Sequence, residues 1–67
     1  MSNVILQVQK EISRVRKILP QLEASRREVA QVTIRFAETA LAMNSYEGMR
    51  EAIDTLEDFT LPPVIDA

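Results

Sequence analysis

Apolar side chains recur along this chain at alternating steps of three and four residues. Ile5, Val8, Ile12, Val15, Leu19 and Leu22 are followed, past a charged Arg26, by Val29, Thr33, Phe36, Ala40 and Met43. Such spacing holds one stripe on one side of an α-helix and forms the seam along which helices pack. The fold class it implies is all-α. Pro20 stands inside the seam, without an N–H for an intrahelical bond and with a ring that collides with the preceding turn, at about 3 kcal/mol in a helix interior. Because the seam crosses Pro20 without slipping phase, one long, kinked helix is favoured over two. The competing signals for a break are Pro20 itself and Ser25 to Glu28, which have the spacing of a capping box.

A second apolar line, Ala30, Ile34, Ala37 and Leu41, makes the following stretch apolar on more than one side, so it should be the most buried element. The pattern stops at "NSYEG", where Asn44 or Ser45 can cap a new helix, and a last helix runs through Tyr46, Met49, Ile53, Leu56 and Phe59. Pro62 and Pro63 then end it. The expected organisation is one domain over residues 1–60, with helices at about 4–19, 20–43 and 45–59, and an extended tail at 61–67. It describes a helical hairpin or a small three-helix unit. In "LPPVIDA" the tail reads either as a polyproline-like ligand or as a strap over its own core, and Val64 and Ile65 favour the strap.

A short turn at 44–45 makes the last two helices antiparallel, and counting outward from it sets Met49 near Ala40, Ile53 near Phe36, Leu56 near Val32 and Phe59 near Val29. The same register brings Asp54 near Arg35. In a kinked helix, the seam residues Ile5, Val8, Ile12, Val15, Leu19 and Leu22 have no partner within the hairpin. They are the expected self-association face, and the chain is expected to form a homo-oligomer, a dimer first of all, bundled through that face.

A chain of 67 residues buries only about 60% of its unfolded surface, which also favours pairing. With no Cys and no His, disulfides, the usual zinc sites, thiol nucleophiles and the commonest general base are all missing. No cofactor or metal is expected, and no enzymatic activity. No apolar run reaches the roughly 20 residues that span a bilayer, and no secretory leader is evident, so a cytoplasmic protein without membrane contact is expected. The net charge of −2 conceals an uneven distribution: residues 1–35 carry +4 and residues 36–67 carry −6.

These features imply a small interaction module, an adaptor, co-chaperone or inhibitor, that acts on itself and on a further protein. A contrasting reading uses the basic first half, where Lys10, Arg14 and Lys17 share an outward face, to bind an anion. Its specific version is a nucleotide held by Arg26 and Arg27 on phosphate with Tyr46 stacked on the base. The acidic balance, the scarcity of aromatic residues and the lack of a basic recognition helix read against nucleic acid. Arg26 carries another possibility, since a lone charge in a packing seam selects register or oligomer state.

Overall fold

The structure, a computed structural model, describes residues 3–61. Its elements in chain order are α1 (Val4–Ile18), a 3-10 turn (Leu19–Gln21), α2 (Ala24–Ala42) and α3 (Tyr46–Glu57). This is the all-α three-helix unit that the periodicity allows. Past Leu61, the expected tail and its Val64 and Ile65 lie outside the described residues.

Pro20 breaks the helix, which corrects the expectation of a kinked but continuous one. α1 stops at Ile18, and the backbone tightens into a 3-10 turn with Pro20 at its start, where the missing N–H leaves no bond unmade. Leu22 and Glu23 are extended, with ψ of 152° and 154°, and the Leu22 N–H donates to the Leu19 carbonyl at 3.1 Å to close the turn. α2 starts just ahead of the anticipated capping box. Glu23 holds the N-cap position without a side-chain bond, and Ser25 lies inside the first turn.

The second turn is tighter. Asn44 adopts φ 55°, in the left-handed region, its N–H donating to Leu41 O at 3.1 Å while the Ser45 N–H donates to Ala40 O at 2.8 Å. This paired arrangement is a Schellman motif, with Asn in the place where Gly is usual. Ser45 then caps α3, its Oγ accepting from the Gly48 N–H at 3.2 Å. Of the two residues expected here, one ends α2 and the other begins α3.

α2 runs antiparallel to both neighbours, so α1 and α3 are parallel. α3 packs broadly on both, whereas α1 and α2 touch along less of their length. Val4, Val8, Ile12 and Val15 of α1 cluster with Met49, Ala52, Ile53 and Leu56 of α3. From α2 the core takes mainly small side chains: Ala30, Ala37 and Ala40 with Ile34, beside a buried Thr33 whose hydroxyl donates to Val29 O at 2.9 Å. Leu22 and Phe59 are buried with them.

This arrangement corrects the expected register. α2 turns its alanine line inward, and Val32 and Phe36, expected opposite Leu56 and Ile53, stay on its flank, while Val29 is exposed but lines one groove with Phe59. Ile53 instead lines a groove with Val4 and Gln7 of α1. The physical reason is proximity: a helix packed on two others must approach both, and only small side chains permit it. At the crossing of α2 and α3 a Cβ on Gly48 would lie 2.9 Å from the Ala40 Cβ and 3.1 Å from the Ser45 Oγ. No larger pair fits there.

Gly48→Ala should therefore destabilise the fold, although Ala is the better helix former by about 1 kcal/mol. The new methyl meets a backbone-anchored Cβ, and overpacking of this kind costs about 1–3 kcal/mol. Thermal unfolding should drop by several degrees, and adding Ala40→Gly should recover part of the loss. A Gly48→Ala protein that melts above wild type would show that the helices do not approach this closely.

Candidate functional site

The residues proposed from sequence to grip an anion are not assembled. Arg27 donates to the carbonyls of Leu19 at 3.0 Å and Leu22 at 2.9 Å, tying α2 to the turn before it. Arg26 donates to Asp58 O at 3.3 Å and lies 5.1 Å from the centroid of the Phe59 ring, so it fastens α2 to the end of α3. Tyr46 opens α3 at its other end. A phosphate held by the two arginines would be a helix length away from the ring meant to stack above it.

Arg14, expected on an outward basic face with Lys10 and Lys17, is half-buried at the junction of α1 and α3. Its guanidinium donates to Phe59 O at 2.7 Å and Leu56 O at 2.8 Å and pairs with Glu11 at 2.8 Å. The cause lies in α3. Asp54, Glu57 and Asp58 crowd its C-terminal end, where the macrodipole already disfavours negative charge and the last carbonyls lack partners. Arg14 and Arg26 supply cationic donors from the two other helices. The expected approach of Arg35 to Asp54 does not occur, because Arg35 lines a groove between α1 and α2 and Asp54 one between α1 and α3. Arg16 pairs with Glu38 across α1 and α2. The basic first half of the chain is thus largely engaged by the chain's own carbonyls and carboxylates.

The seam expected to face a second copy faces α3 instead. Val8, Ile12, Val15 and Leu22 are buried within the chain, Leu19 packs partly buried against them, and Ile5 remains exposed. Folding back at the proline gives these side chains the cover that a continuous helix would have denied them.

Ile5 and Leu6 of α1, Tyr46 and Leu61 are exposed too, but the longest run of exposed large apolar side chains follows α2. Val29 is 54% exposed, Val32 55%, Phe36 45% and Met43 72%, and their spacing keeps them on one side of the helix. Beside Val29 a groove of about 360 Å³ opens between α2 and α3, bounded by Ser25, Thr55 and Phe59. Glu28 and Arg35 follow the outer edge, both exposed and without a hydrogen-bond or ion-pair partner among the described residues. Sequence reasoning took these apolar residues for core. The signal that distinguishes them was nonetheless present, since a helix with two apolar lines leaves one outside when the other turns in. Among the described residues no three His, Cys, Asp or Glu side chains gather to hold a metal, and no helix is long and apolar enough to cross a membrane.

No family model matches this chain, and no curated protein or solved structure matches it.

Arg14→Met keeps the aliphatic stem and removes the donors, so it should destabilise the fold by about 1–2 kcal/mol. Lys10→Met, on the same helix but in solvent, should leave the melting temperature nearly unchanged. Equal melting shifts in the two variants would mean that Arg14 does not cap α3.

Proposed function

We propose that this chain is a non-enzymatic protein–protein interaction module whose working surface is the flank of α2 formed by Val29, Val32, Phe36 and Met43. The observation that carries this reading is the exposure of four large apolar side chains in helical register on a domain with a small core. Contiguous apolar patches of a few hundred Å² are at the upper end for a monomer and commonly functional. Anchors at such spacing belong to helix-pairing and helix-in-groove recognition. An adaptor, a co-chaperone and an inhibitor all work by occupying a surface in this way.

The rival reading, an anion or nucleic-acid binder, is left with Lys10, Lys17 and the separate Arg35, because Arg14, Arg26 and Arg27 already donate to carbonyls and Arg16 pairs with Glu38. So few free cations on an acidic chain give little phosphate affinity at physiological salt.

A photo-crosslinking residue at position 36 should capture a polypeptide, whereas the same residue at Glu47 should not. Val32→Glu with Phe36→Glu should leave helicity and melting temperature close to wild type and abolish that capture. A large loss of stability would mean that the flank is covered within the chain, and the reading would fail. Binding to a generic oligonucleotide that weakens steeply with salt and disappears in Lys10→Glu with Lys17→Glu would favour the rival.

A further inference from the structure

From the shape and charge of the α2 flank we infer that its occupant is the same flank of a second copy, packed antiparallel about a two-fold axis near Val32; this rests on the interaction reading above. A two-fold contact is isologous, so a single surface must carry both halves of every match. The α2 flank does so three times over with one register.

The first match is a knob and a hole. Phe36 projects from the flank, and the groove beside Val29, walled by Thr55 and Phe59 of the α3 side, offers a concave apolar seat of about 360 Å³. Position 36 and position 29 are seven residues apart, two helical turns and about 10 Å along one face. An axis near Val32, between them, places each Phe36 over the partner's groove and each Val32 against the partner's Val32. The second match is electrostatic. Glu28 and Arg35 share the same seven-residue spacing on the outer edge and have no partner of their own among the described residues. The same axis sets each Glu28 opposite the partner's Arg35, giving two ion pairs, whereas parallel helices would oppose Glu28 to Glu28 and Arg35 to Arg35. The third is at the ends of the contact, where uncharged Ser25 meets Thr39 of the other copy. The area available on one 19-residue helix and its border is toward the small end of specific interfaces, so the dimer should be reversible with a Kd of micromolar order.

The test uses the full chain, which has no native cysteine to interfere. Sedimentation equilibrium should show the mass rising from 7.6 kDa toward twice that value between about 10 and 500 µM, in line with a micromolar Kd. Glu28→Arg and Arg35→Glu should each weaken the dimer about fivefold or more, and the double exchange should restore it to near wild type, which also controls for folding. Under mild oxidation Val32→Cys should form a covalent dimer with itself. Ser25→Cys and Thr39→Cys should link to each other when mixed and scarcely to themselves. A chain that remains monomeric through about 500 µM, a Val32→Cys variant that does not cross-link, or self-linking at 25 and 39 would each overturn the antiparallel pair. If the wild type stays monomeric yet a crosslinker at position 36 still captures another protein, self-pairing fails while the broader interaction reading survives. If neither occurs, both fail.

Discussion

A proline cannot supply the backbone hydrogen bond that a continuing helix would require of residue 20, and the destination of every apolar side chain on α1 follows from that. With the helix interrupted, the chain reverses over Leu22 and Glu23, and α1 comes down on α3. Val8 and Val15, which a straight helix would have carried into solvent, become fully buried. Five or so apolar residues at about 1.5–3 kcal/mol each are too much for a domain of this size to forgo.

α2 then has to lie close to two helices at once. Its alanines permit that, and the bare Gly48 opposite Ala40 shows how close the approach is. Selecting the small face for the interior leaves the large one, with Val29, Val32 and Phe36, facing water. The exposed stripe is therefore a geometric by-product of tight packing as well as the surface proposed for interaction. The arginines complete the assembly by reaching to carbonyls at the end of α3 and in the 3-10 turn, which puts much of the basic first half to structural use.

The all-α class, the turn at Asn44–Ser45 and the apolar faces of α1 and α3 were legible from spacing, because Val8, Ile12 and Val15 or Met49, Ile53 and Leu56 each form a single apolar line. α2 was not, since two lines compete there and the winner is decided by how near its neighbours must come, a three-body property that no pairwise count from the turn contains. Phase across Pro20 misled for a related reason: a 3-10 turn and two extended residues let α1 and α2 rotate independently. The role of Arg14 was hidden because its carbonyl partners, Leu56 and Phe59, are far along the chain and carry no side-chain signal of their own. Arg26 and Tyr46 looked compatible in composition, but only the fold reveals that they occupy opposite ends.

The parallel pairing of α1 with α3 also joins residues far apart in the chain. α2 and α3 are joined by a Schellman turn and can form a local hairpin, whereas α1 meets α3 across contacts such as Arg14 to Phe59, 45 residues apart in sequence. Closing contacts so distant in sequence costs more chain entropy than closing the short turn of Met43, Asn44 and Ser45. The loss of α1 would strip the α1-facing side of α3, Ile53 included, of its cover. The molecule thus keeps a second apolar surface beneath α1, one that any local opening at that helix would uncover.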